Sequence, residues 1–191
     1  MTWNPAKTDP SLTLSNNNLT VAKASGFGSH AKSLGVAAAQ GTERRLKISL
    51  NGAQDIGIGL ATVDEPLYSG VLGAAPATSA CIWSTGWYQD NSGQWHQYPA
   101  LQAGQEVTVF YNPSTKSASW LRNGTLIVAR TLVLSGDAFP AISLRYQPDK
   151  ATADFTQWAD AVVEPPPPPP PPPPSGEAYY VLITNDPDYT A

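Results

Sequence analysis

The sequence predicts an all-β fold, and three observations carry that prediction. Short apolar or alternating runs recur through residues 1–164, separated by Gly, Pro, Asn and Ser clusters, the pattern of a sandwich or barrel. Asn123-Gly124 stands between two such runs and is the strongest short hairpin signal a sequence carries. No stretch shows the three-to-four-residue periodicity of an amphipathic helix.

Taken in order, Ser11-Leu-Thr-Leu-Ser alternates like a strand, Asn16-Asn17-Asn18 turns the chain, and Leu19-Thr-Val-Ala resumes. Ser25 to Ser29 is a loop, and Leu34 to Ala39 is strand or packed loop. Leu46, Ile48 and Leu50 fall on one strand face before a turn at Asn51-Gly52. Ile56-Gly-Ile-Gly-Leu-Ala follows as a strand whose glycines mark a bulge or a close backbone approach. Asp64 to Thr78 is the least regular part. Ala80-Cys-Ile-Trp is a short strand, and Trp87 to Tyr98 reads as two more around Asn91-Ser-Gly93. Val107, Val109 and Tyr111 share a face. The strands flanking Asn123-Gly124, then Ala138 to Tyr146 and Ala151 to Phe155, complete the set.

The charge distribution bounds the function. Glu164 and the residues after it hold four of the fifteen acidic residues and no Lys or Arg, so the eleven basic and eleven remaining acidic residues cancel in residues 1–163. A neutral domain with an acidic tail is a poor nucleic-acid binder. No run approaches the ~20 apolar residues of a membrane span. Met1-Thr-Trp-Asn-Pro is not a secretory leader, and the single Cys81, in an apolar strand-like setting, reads as a small buried hydrophobe. The chain is therefore expected to be made and kept in a reducing cytoplasm until assembly. His30 and His96 begin no metal-ligand spacing, so neither a metal nor a cofactor is expected.

The order of motifs resembles the SPRY domain, an antiparallel, concanavalin A-like β-sandwich. The resemblance runs from about Trp3 to Phe155 and rests on Leu12-Thr-Leu-Ser, Asp55-Ile-Gly-Ile-Gly-Leu-Ala and Gly104-Gln-Glu-Val-Thr-Val-Phe-Tyr. Ala118-Ser-Trp-Leu-Arg-Asn-Gly, Phe139-Pro-Ala-Ile-Ser-Leu and Ala151-Thr-Ala-Asp-Phe follow in the family's order. It implies a protein-interaction module that holds its partner with loops at one end or face of the sandwich. A SPRY-like domain followed by a proline run and short tail is also similar in style to components of bacteriophage particles.

Catalysis has little support: Asp64 and Glu65 are acidic but adjacent, and adjacent strand residues point to opposite faces. They read as solvated loop acids at a binding rim. Trp87, Tyr88, Trp95, His96 and Tyr98 crowd into twelve residues, and alternation commits one face to the core while the other forms an aromatic platform for a sugar ring or a protein hot spot. Tyr68, with Asp64 and Glu65, and the pair Arg145-Tyr146 are further ligand-binding candidates. Trp83 and Trp120 read as core.

Pro165 to Pro174 are ten consecutive prolines, a polyproline II rod of roughly 30 Å. Residues 175–191 follow as an anchoring peptide, with Tyr179, Tyr180, Val181, Leu182 and Ile183 forming a strand-like centre that must add to a sheet edge, in this chain or another. The expectation is a non-enzymatic virion component: a sandwich over 1–164, a stalk over 165–174 and a tail bound to a protein partner in a larger assembly. The sandwich loops would meet a cell-surface glycan or protein. A cytoplasmic adaptor that binds a peptide, or a lectin-like or carbohydrate-active module, is the alternative.

Overall fold

Fourteen strands run in the order β1 (Trp3–Thr8), β2 (Leu12–Ser15), β3 (Thr20–Lys23), β4 (Ala31–Gly35), β5 (Arg44–Leu50), β6 (Ile56–Ala61), β7 (Ser79–Trp83), β8 (Trp87–Gln89), β9 (Trp95–Gln97), β10 (Glu106–Asn112), β11 (Ser117–Arg122), β12 (Thr125–Thr131), β13 (Phe139–Leu144) and β14 (Lys150–Asp154). The computed structural model describes residues 1–24, 30–39, 41, 43–52, 54–67 and 70–158; Tyr68, the proline run and the tail lie outside them. The chain divides into two units, Met1–Ala161 and Val162–Ala191. Among the described residues there is no helix.

The strands form two seven-stranded sheets, ordered β1-β4-β13-β6-β7-β8-β9 and β12-β11-β10-β5-β14-β3-β2. Every pairing is antiparallel. Alternation explains why they stack. Leu46, Ile48 and Leu50 of β5 and Val107, Val109 and Tyr111 of β10 are all buried, and they meet Ile56, Ile58 and Leu60 of β6 across the sandwich. Each such aliphatic side chain contributes roughly 1.5–3 kcal/mol on burial. Trp120 of β11 crosses between the sheets, its indole N–H donating to the Ile58 carbonyl at 3.0 Å, so the one polar atom of a fully buried ring is satisfied.

The Asn123-Gly124 hairpin joins β11 to β12 as expected, with φ of 48° and 82°. Asn16, Asn17 and Asn18 all adopt left-handed φ of 52–61°, which asparagine tolerates better than other non-glycine residues. Trp3–Thr8 carries no alternation and contains a proline, yet it forms the edge strand β1 against β4, with an irregular register.

The first sheet buries its outer face as well. Leu34, Ala61, Cys81, Trp83 and Ala141 point away from the main core and are covered by the irregular segment after β6, which contributes Leu72. The two glycines of β6 lie on this outer face because β7 and its side chains press against it. A Cβ on Gly57 would lie 2.9 Å from the Trp83 indole, and one on Gly59 would lie 2.0 Å from the Ala80 carbonyl oxygen. The glycines mark a close approach; the alternative reading as a bulge does not apply, since the β6–β7 register is unbroken from Gly57–Trp83 to Ala61–Ser79.

Cys81 is buried, as its setting implied, and its thiol donates to the Leu72 carbonyl at 2.9 Å. Burial pushes its pKa far above the ordinary thiol value. The native protein is therefore expected to leave an aromatic disulfide reagent unreacted, with the single thiol titrating only after denaturation. Prompt reaction of the folded protein would contradict this packing.

Candidate functional site

The strand ends that carry the site are brought together by topology rather than by sequence proximity. In the order β4-β13-β6-β7, antiparallel pairing sets the start of β4, the end of β13, the start of β6 and the end of β7 side by side. His30, Arg145, Asp55 and Trp83 occupy those four positions. The hairpin β8–β9 extends the sheet from there. Its register opposes Trp87 to Gln97 and Gln89 to Trp95, so Trp87 and Trp95 are diagonal neighbours on one face. Tyr88 and His96 are directly opposed on the other.

The result is a cleft of about 460 Å³ lined by His30, Asp55, Val71, Trp83, Thr85, Trp87, Trp95 and Arg145. Trp83 is only 3% exposed and forms part of the lining, while Trp87 and Trp95 are 38% and 46% exposed. Large aromatics half open to solvent beside a buried one are the usual composition of a ligand cleft. His30 packs edge-on against Trp83, with ring centroids 4.9 Å apart. Asp55 accepts from the Arg145 guanidinium at 3.1 Å, and Arg145 lies over the Tyr146 ring at 5.0 Å. The Asp149 carboxylate fixes the approach to β6 by accepting the N–H groups of Gln54 and Asp55 at 3.0 and 3.2 Å.

The other half of the aromatic cluster is structural. Tyr88 and Tyr98 pack against the main core, and the Tyr98 hydroxyl donates to the Trp83 carbonyl. Burial raises the Tyr98 pKa far above the ordinary phenol value, so it remains a donor. His96 stacks on Tyr88 at 5.0 Å and meets the Asp90 carboxylate at 2.7 Å. Asp90 also accepts from the hydroxyl and N–H of Ser92 and the N–H of Gln94, and the bonds from Ser92 and His96 hold its pKa well below the usual carboxylate range. That network closes the β8–β9 turn. Arg130 of β12 then staples the hairpin to the second sheet by donating to the Gln89 carbonyl, and Asn91 donates to the Thr131 carbonyl at 2.7 Å.

The expected rim acids divide. Asp64 is exposed, but it does not line the cleft. Glu65 is not a solvated loop acid: it is buried and paired with Lys32 at 2.6 Å, and it accepts from the Thr78 hydroxyl at 2.6 Å. Its neighbours in sequence suggested solvent, whereas its partner lies on β4. Tyr68 falls outside the described residues. Sequence reasoning passed over His30, Asp55, Val71 and Thr85 as site residues and assigned Trp83 to the core alone. The available signal for His30, Asp55 and Thr85 was their position beside strand ends; Val71, in the loop between β6 and β7, carried none. Among the described residues, no cluster of His, Cys, Asp and Glu could hold a metal ion.

Burial lowers the His30 pKa below its ordinary 6.5; Asp55 opposes this, and the Arg145, Lys32 and Lys23 cations act with it. The folded state then binds fewer protons than the unfolded state between the depressed value and 6.5. This contribution to stability is complete above the unfolded value and is lost as pH falls through the folded one. Unfolding free energy should drop, as pH falls below about 6.5, more steeply for the native chain than for His30→Gln. Equal slopes in denaturant titrations would remove His30 as the cause.

No family model matches the sequence, and no curated protein does. Solved structures do. The fold is similar to the SPRY domain of human HERC1, with TM-score 0.67 and 12% identity, covering 81% of this chain and 98% of that one. It is similar to the TRIM65 PSpry domain, with TM-score 0.64 and 10% identity, covering 80% and 90%. Stonustoxin matches with TM-score 0.65 and 13% identity over 80% of this chain, but over only 26% of its own length. The protein thus has a SPRY-like fold, and at such identities the likeness is one of architecture. Among the described residues, no helix is long and apolar enough to cross a membrane.

Proposed function

We propose that the SPRY-like sandwich is a non-enzymatic binding module that holds its ligand or partner in the tryptophan cleft. The observation that carries this reading is the pairing of two half-exposed indoles, Trp87 and Trp95, on the last two strands of a sheet whose central strands β4, β13, β6 and β7 are buried on both faces. Aromatic anchors over a desolvated floor are where binding energy concentrates, about 2 kcal/mol or more for a central tryptophan. The resemblance to interaction modules agrees with it. Trp87→Ala and Trp95→Ala are expected to weaken capture of the native partner by roughly thirtyfold. Their denaturation midpoints should stay close to the parent, because neither ring belongs to the core. Full capture by the double variant would remove the cleft from the function.

The order of sandwich, ten prolines and apolar tail supports a second layer of the proposal. The sandwich is displayed on the proline rod, and residues 175–191, through Tyr179 to Ile183, join a protein partner in a larger assembly, which we take to be a phage particle made in the host cytoplasm. Comparing the full chain with one ending at Glu164 in a pull-down from the native source tests it. Loss of the assembly from a folded, truncated chain supports the anchor, and retention places recognition in the sandwich.

A further inference from the structure

We infer that the cleft takes a neutral saccharide, a proposal that rests on the cleft being the binding site. Its walls combine two surfaces that a pyranose ring needs together. Trp87 and Trp95 stand on adjacent strands β8 and β9 and offer half-exposed indole area to the apolar C–H face of a ring, beside the buried Trp83 of β7. Asp55, Arg145, Thr85 and His30 stand at the strand ends and supply an acceptor, donors, a hydroxyl and an imidazole to the hydroxyl groups. The volume, about 460 Å³, lies within the range of small-molecule sites, about 300–1,000 Å³.

Charge decides between this class and a charged ligand. Asp55 and Arg145 already neutralise one another at 3.1 Å, and an anion or cation would have to compete with that pair. A hydroxyl need not compete, because it donates to the carboxylate and accepts from the guanidinium while the pair persists. The His30 ring, kept in its neutral form at pH 7 by burial, adds no charge. Its Nδ1 is buried with no hydrogen-bond partner among the described residues, an imidazole nitrogen at the cleft that a ligand hydroxyl would satisfy.

The test is titration of the full chain with cellotetraose, maltotetraose, chitotetraose and mannotetraose, read by tryptophan emission. A saturable shift is expected with at least one of them. The same titration of Trp95→Ala should need roughly thirtyfold more sugar, and Asp55→Ala should also weaken binding while its melting curve stays cooperative. Because the ligand is neutral, affinity should hold nearly constant between about 0.05 and about 0.5 M salt. A peptide array probed in parallel separates the failures. Peptide capture that depends on Trp87 and Trp95, with no response to any of the four sugars, overturns the saccharide and keeps the cleft. Absence of any Trp87- or Trp95-dependent binding overturns both.

Discussion

Glu65→Ala is expected to cost about 3–5 kcal/mol of folding stability, the usual loss when one partner of a buried ion pair is removed. Lys32 and Glu65 have side chains 1% and 3% exposed and meet at 2.6 Å. The Lys32 ammonium also donates to the Pro66 carbonyl at 2.8 Å, so it ties two consecutive residues of the segment after β6 to strand β4. Truncating Glu65 leaves a buried ammonium without its carboxylate and the Thr78 hydroxyl with only the longer contact to the Ala75 carbonyl, at 3.3 Å. Restoring both losses with apolar groups should undo most of the damage: Lys32→Met with Glu65→Leu is expected to lie within about 1–2 kcal/mol of the parent, because the pair's own desolvation penalty disappears with it. Urea midpoints for the parent, Glu65→Ala and the double variant check both statements. A single variant within experimental error of the parent would mean that the segment does not depend on this pair.

Gly59→Ala is the second large effect. One added methyl would sit 2.0 Å from the Ala80 carbonyl oxygen and 2.6 Å from the Cys81 Cα, both in the backbone of the paired strand β7. Neither can swing aside as a side-chain tip could, so β6 and β7 must separate at the centre of a sheet. A loss of about 3 kcal/mol or more is expected, at or beyond the upper end of overpacking costs. Gly57→Ala is the milder companion, since its methyl meets the Trp83 indole at 2.9 Å and a ring can tilt. That tilt moves the buried tryptophan of the cleft, so Gly57→Ala should change binding more than it changes the melting temperature. Equal stability for Gly59→Ala and the parent would be incompatible with the β6–β7 approach.

Most strands were legible because one face of each is buried, which imposes a period of two on β5, β10 and β11. Strand β1 was not, because an edge strand with a proline carries no such period. The cluster from Trp87 to Tyr98 was visible in composition, but alternation alone left open which half faced the core. The β8–β9 register decides it, and places Tyr88 inward and Trp87 and Trp95 outward. His30, Asp55 and Arg145 could not be joined from the sequence, because their meeting depends on a strand order that no local pattern encodes. Glu65 shows the same limit in reverse: Asp64-Glu65-Pro66 looks solvated until Lys32, thirty-three residues earlier, is placed beside it.

The hairpin β8–β9 ends its sheet, carries both half-exposed tryptophans and turns them away from the side on which Tyr88 meets the main core. Inheritance of foldability and inheritance of recognition are thereby written in different residues. Positions 87 and 95 can change their chemistry while Leu46, Ile58 and Trp120 keep the two sheets together. A lineage carrying this sandwich can drift in what it recognises without passing through unfolded ancestors. The same positions, braced against β12 by the Arg130–Gln89 and Asn91–Thr131 hydrogen bonds, form a ready site for randomisation in a displayed library.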